Sequence, residues 1–263
     1  MIKLVTSDID GTLIKDSTPD LYPEMVQAVR DLKKKGILFC AASGRQYASI
    51  RNVFREVAEE IAYIAENGAH IRYEGKDISV TPMKREYAEE LMHMLRPYYG
   101  ECETVISTAQ GSLVESKNKD FIDLLTYGYH NTFRMVDDVL AEDAEIIKIA
   151  IYRKGSIRTL GESVLIPAWQ DKVKACMAGD EWVDFMDASV DKGNALRILQ
   201  KHLGISKEET MAFGDNNNDI GMMLAAGESY AVETAVEAVK EAAGNICPGY
   251  LDKGVYKIIK KLL

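Results

Sequence analysis

Short apolar runs alternate with helix-period segments through the first 65 residues of the chain. Residues 2–6 form an apolar-rich run of strand length. Residues 37–42 are apolar at every position between Gly36 and Ser43, the pattern of a strand covered on both faces. A third such run covers residues 61–65. Between them, residues 22–35 place Met25, Val26, Val29 and Leu32 on one helical face. Pro23 stands in the first turn, Lys33, Lys34 and Lys35 close the segment, and Gly36 follows. A second helix is predicted over residues 46–58. Strand, helix, strand, helix, strand predicts an α/β fold with a doubly wound parallel sheet, a Rossmann-like core.

The rhythm changes after Asn67 and Gly68. Residues 69–73 and 77–80, around Glu74-Gly75-Lys76, predict a hairpin that Pro82 closes. Helices predicted over residues 87–95, 119–125 and 156–164 then mix with strands over 104–107, 146–152 and 182–185. That order fits an inserted α+β domain better than further α/β repeats. From Lys192 the alternation resumes, with helices over 193–203 and 217–225, strands over 210–213 and 229–232, and helices near 236–243 and 255–262. The expected organisation is a core of residues 1–82 and 186–263 split by an inserted domain of residues 83–185.

Composition narrows the partners. With 32 Lys+Arg against 41 Asp+Glu, the net charge of the 263-residue chain is −9. Such a surface repels nucleic acid and anionic membranes, so neither is an expected partner. Apolar runs such as residues 37–42 fall far short of the roughly 20 residues a membrane-spanning helix needs. Lys3 and Asp8 interrupt the N-terminal apolar run before it reaches signal-peptide length, so the expected compartment is the cytoplasm. Cys40, Cys102, Cys176 and Cys247 show no C-x-x-C spacing and read as reduced structural thiols.

Four segments carry candidate chemistry. Asp8-Ile9-Asp10-Gly11-Thr12-Leu13 follows the first strand directly, where the strand ends of a doubly wound sheet form a ligand crevice. Five chosen residues in fixed order arise by chance in about one chain in ten thousand of this length. Two carboxylates one residue apart can divide labour: one attacks phosphorus and forms an aspartyl-phosphate, while the other, protonated, donates to the leaving oxygen. Ser43-Gly44-Arg45 places a hydroxyl and main-chain N–H groups between a strand and a helix, aimed at an anion, although Ser-Gly is also an ordinary loop. Lys192 stands where the core pattern restarts, either as a solvated helix start or as the cation that offsets a phosphoryl charge. Gly214-Asp215-Asn216-Asn217-Asn218-Asp219 gathers oxygen donors at a strand end, which suits Mg²⁺, although an Asn-rich helix cap reads the same way. An EF-hand is excluded there, because Ile220 and Ala226 occupy the positions that loop reserves for Gly and Glu.

These four segments, in this order, resemble the motifs of the haloacid dehalogenase superfamily of phosphohydrolases. The split core with its long insertion looks like the Cof-like branch, in which the insertion is a cap over the site. The resemblance implies a phosphatase that acts on small phosphomonoesters, with sugar phosphates foremost, and that requires Mg²⁺. It implies Asp8 as nucleophile and Asp10 as general acid/base, with the Asp10 carbonyl also reaching the metal. Ser43, Gly44 and Asn218 would bind the phosphoryl group, and Arg45 would lie near the substrate. Lys192 would neutralise charge, and Asp8, Asp10, Asp215 and Asp219 would form the metal site. Glu66-Asn67-Gly68-Ala69 is similar to the segment leading toward the cap, with a less defined role. Residues 232–235 read Val-Glu-Thr-Ala where the branch commonly has Met-Gly-Asn-Ala, which bears on a secondary contact. In the cap, Tyr98, Tyr99, Tyr127, Tyr129 and Trp182 are candidates for a leaving-group pocket, against the plainer reading of core or surface packing. The alternatives to a phosphatase are a sugar phosphotransferase or phosphomutase of the same superfamily, a phosphoaspartate signalling module, and a non-catalytic sugar-phosphate binder.

Overall fold

The computed structural model describes residues 1–15 and 20–263. Strands β1 (Leu4–Asp8), β2 (Leu38–Ala42), β3 (Ala62–Ala65), β4 (His70–Tyr73) and β5 (Lys76–Val80) open the chain. Next come β6 (Glu103–Thr108), β7 (Gly111–Val114), β8 (Phe133–Met135), β9 (Lys148–Tyr152), β10 (Lys174–Met177) and β11 (Trp182–Met186). The chain ends with β12 (Thr210–Gly214), β13 (Glu228–Val232) and β14 (Asn245–Cys247). Two compact units result, Met1–Ser79 with Asp191–Leu263, and Val80–Val190. Their limits fall at residues 79 and 190 rather than 82 and 185. Residues up to Val190 stay with the second unit, where the Lys174 ammonium donates to the Val190 carbonyl at 2.8 Å.

In the first unit the eight strands run in the order β14-β13-β12-β1-β2-β3-β4-β5. All are parallel from β14 to β3, and β4 is antiparallel to β3. From β1 the chain steps to β2 and β3 on one side, and from β12 to β13 and β14 on the other. The β1/β12 boundary is therefore the topological switch point, beyond whose carboxyl ends ligands bind in such sheets. Every residue of β1, β3 and β12 is buried, so both faces of the sheet are covered. Met25, Val29 and Leu32 of the helix Pro23–Lys34 join that core, as do Leu196 and Leu199 of the helix Lys192–Leu203. The first strand lies two residues later than its apolar run suggests. Ser7 and Asp8 are carried into it because main-chain pairing with β2 and β12 continues regardless of side-chain polarity, with Asp8 opposite Ala42 and Ser7 opposite Phe213.

The second unit is built on a six-stranded sheet, β10-β11-β9-β6-β7-β8. Strand alternation splits its core. Ile106, Ile149, Ile151 and Phe185 pack with Leu91, Met92 and Leu95 of the helix Arg85–Leu95, while Val105 and Tyr152 turn to a separate cluster with Phe121 and Leu125. Trp182 and Tyr152 lie 4.8 Å apart by ring centroid, and the indole N–H donates to Tyr129 at 3.1 Å, so Trp182 and Tyr129 serve this internal cluster. Strands β8, β10 and β14 have no counterpart in the sequence reading. Each is a short edge strand paired on one side, so its side chains lack a buried alternation. Strand β7, four residues long, was not legible either. The helix predicted over residues 46–58 ends at Val53. The four cysteines are free thiols, with Cys40, Cys102 and Cys247 buried and Cys176 half-buried. Among the described residues no helix is long and apolar enough to cross a membrane.

Candidate active site

Four adjacent strands, β12, β1, β2 and β3, deliver the candidate residues other than Lys192 at their carboxyl ends. Asp8 is the last residue of β1. The chain then turns tightly, with Ile14 donating to the Ile9 carbonyl and Gly11 to the Ile14 carbonyl. Gly11 adopts φ +84°, and a Cβ there would stand 2.6 Å from an Asp215 carboxylate oxygen. This position thus demands glycine twice over, for its backbone and for its neighbour. The Thr12 hydroxyl donates to Asp215 Oδ1 at 2.7 Å, so the turn after β1 fixes the carboxylate that follows β12. Nothing in the motif spacing marks Thr12 for this contact.

Lys192 begins the helix Lys192–Leu203, whose N-cap Asp191 accepts from the Asn194 N–H and whose end is set by left-handed Gly204. Its ammonium is fully buried between two carboxylates, donating to Asp8 Oδ1 at 2.6 Å and to Asp219 Oδ1 at 2.7 Å. Two glycines make this possible. A Cβ on Gly193 would come 2.2 Å from the Gly221 carbonyl carbon, so the helix carrying Lys192 and the helix Ile220–Ala225 touch backbone to backbone. Asp219 is held from its own loop as well: its Oδ2 accepts the N–H groups of Asp215 and Asn216 at 3.0 and 3.1 Å.

Ser43 follows β2, one residue past the Ala42 that pairs with Asp8. Its oxygen accepts the Arg45 N–H at 3.1 Å, which leaves the hydroxyl proton for an acceptor. The Arg45 guanidinium reaches back to Asp10, donating from Nε to Oδ2 at 2.7 Å and from Nη2 to Oδ1. Both Asp10 oxygens therefore accept from Arg45. Asn218 donates to Asn67 Oδ1 at 2.9 Å, a second link that the spacing of motifs did not disclose.

Charge in this cluster is unbalanced. Ligand oxygens of Asp8, Asp215 and Asp219 lie within 4.8 Å of one another, with the Lys192 ammonium among them. Burial pushes the Asp8 carboxyl well above its usual range, and Asp219 and Asp215 push the same way against Lys192. Burial also raises Asp215, opposed by the Thr12 hydrogen bond. Burial works against the Lys192 charge, but Asp219 and Asp8 outweigh it and hold the ammonium protonated. A buried set of hard oxygen donors short of positive charge fits Mg²⁺, with Asp8, Asp215 and Asp219 as the side chains that would hold it. The Asp10 side chain belongs to the Arg45 pair, so any part Asp10 takes in metal binding falls to its main-chain carbonyl.

The family model for haloacid dehalogenase-like hydrolases matches residues 5–259. The chain is 31% identical over 264 residues to a 5-amino-6-(5-phospho-D-ribitylamino)uracil phosphatase of Escherichia coli (strain K12), covering 100% of this chain and 96% of the relative. It is 26% identical over 263 residues to a phosphoglycolate phosphatase of Methanopyrus kandleri, covering 100% of this chain and 98% of that one. A crystal structure from Eubacterium rectale superposes with a TM-score of 0.88 at 34% identity, over 100% of this chain and 99% of that chain.

Proposed function

The chain belongs to the haloacid dehalogenase-like hydrolases, in their Cof-like branch, and from that premise we propose that it is a Mg²⁺-dependent phosphatase of small phosphomonoesters, sugar phosphates foremost. The observation that carries the reading is Asp8 at the switch point of the sheet, bonded to buried Lys192 and grouped with Asp215 and Asp219. The relatives' names point the same way, since a phosphoribityl compound and phosphoglycolate are both small polar phosphomonoesters.

In this reading Asp8 attacks phosphorus in line, the bond to the leaving oxygen breaks, and an aspartyl-phosphate forms. Lys192 offsets the charge that gathers between nucleophile and phosphoryl group, and the Ser43 hydroxyl, the Gly44 N–H and Asn218 bind the phosphoryl oxygens. Asp8, Asp215, Asp219 and the Asp10 carbonyl would hold Mg²⁺, which would supply Lewis-acid neutralisation of those oxygens. Asp10 gives its proton to the departing alkoxide and later takes one from the water that hydrolyses the intermediate. Before the acid step one Asp10 oxygen has to leave Arg45 and take up a proton from solvent, and an incoming phosphate dianion competes for that guanidinium.

The test is inorganic phosphate release from a panel of sugar, polyol, nucleotide and cofactor phosphates, with Mg²⁺ and with chelator, for the wild type and Asp8→Asn. Metal-dependent release that Asp8→Asn abolishes supports the proposal, and the favoured chemical class names the substrate. Turnover that requires a bisphosphate activator points to a mutase, and a persistent phosphoprotein to a signalling module. Saturable binding without release points to a sugar-phosphate binder.

A further inference from the structure

Between β3 and β4 three consecutive residues lie in the left-handed region: Glu66 at φ 51°, Asn67 at 57° and Gly68 at 108°. Two of them carry side chains, and such a turn persists only when its surroundings over-determine it. Its surroundings are the candidate site. The Glu66 N–H donates to the Arg45 carbonyl and the Asn67 N–H to the Ser43 carbonyl, both at 3.0 Å. A Cβ on Gly68 would stand 2.7 Å from the carbonyl oxygen of Asp191, the residue before Lys192. Asn67 itself is buried, and its Oδ1 accepts from Asn218 Nδ2 at 2.9 Å. Gly44 lies so close that a Cβ there would meet Asn67 Oδ1 at 3.1 Å and Nδ2 at 3.2 Å. One carboxamide thus touches the segment after β2 and the segment after β12, strand ends that β1 separates in the sheet.

We infer that Asn67 is a positioning residue: from a left-handed turn its carboxamide pins Asn218 and buttresses the Gly44 turn, fixing two phosphoryl-binding segments relative to each other. The inference rests on the phosphatase reading for what those segments bind. Asparagine suits the position because it tolerates the left-handed backbone better than other side chains and offers a neutral acceptor. With Asn67 taking one Nδ2 proton, the Asn218 rotor is fixed and its other donor keeps a set direction.

The experiment separates backbone from side chain. Asn67→Gly keeps the left-handed conformation accessible and removes the carboxamide alone. It is compared with the wild type, Asn218→Ala and the double variant. Turnover of p-nitrophenyl phosphate with Mg²⁺ and calorimetric binding of inorganic phosphate are measured on the full chain, and thermal unfolding confirms the fold. Asn67→Gly is expected to lower kcat/KM and weaken phosphate binding about tenfold, the scale of one lost positioned hydrogen bond. In the Asn218→Ala background the same substitution is expected to cost little more, because Asn67 acts through Asn218. Wild-type values for Asn67→Gly, or losses that multiply in the double variant, overturn the inference. If the wild type releases no phosphate from any ester, the phosphatase reading fails by itself, and the calorimetric cycle still decides whether Asn67 and Asn218 are coupled.

Discussion

Lys192→Met removes the ammonium that lies 2.6 Å from Asp8 and 2.7 Å from Asp219, while filling much the same volume. Two charge-assisted hydrogen bonds are lost, each on the order of 1.5–3 kcal/mol. Taking one partner from a buried ion pair costs about 3–5 kcal/mol, because the remaining charge stays buried. Asp8 moderates this, since burial already favours its protonated form and it can shed its charge. The expected loss is therefore near the lower end, about 3 kcal/mol, or about 6–12 °C in the unfolding midpoint of a unit of roughly 150 residues. Tryptophan fluorescence would read the wrong unit, because Trp169 and Trp182 both lie in Val80–Val190. Hydrogen–deuterium exchange of peptides covering β1 and β12 reads the right one, with β9 and β11 as internal reference. Protection in β1 and β12 is expected to fall by about 100-fold. Protection within about threefold of the wild type would refute the claim that Lys192 holds this cluster together.

Three further outcomes are expected. Chelation abolishes phosphate release, added Mg²⁺ restores it and raises the unfolding midpoint of the first unit, and Asp215→Asn shifts the half-maximal Mg²⁺ concentration upward in a titration of turnover; release unaffected by chelator would count against the metal. Asp8→Asn loses turnover by about a thousandfold or more yet unfolds no lower than the wild type in thermal denaturation, since burial disfavours the Asp8 charge and Asp219 still pairs Lys192. Gly11→Ala lowers stability by about 1–3 kcal/mol and lowers turnover, because it meets both a left-handed φ and the Asp215 carboxylate. Gly36→Ala, at φ +73° with open space around it, should show only the backbone part and leave turnover intact.

The apolar runs and helical periods of this sequence determined the parallel core, because burial on both faces writes itself into consecutive residues. They also placed Asp8, Ser43 and Asp215 at strand ends, where polar residues interrupt apolar runs. Edge strands such as β14 left no such mark, since water covers one side of them. What only the tertiary structure decided is which side chains face one another: Thr12 on Asp215, Asn67 on Asn218, Arg45 on Asp10 and Lys192 between Asp8 and Asp219. Thr12 and Asp215 are 203 residues apart, and Asn67 and Asn218 are 151 apart. Such pairs follow from strand order and from the backbone approach at Gly193 and Gly221, and neither leaves a local signature. Periodicity reports how each segment meets its immediate surroundings, whereas the site depends on which strand ends become neighbours once the sheet has assembled.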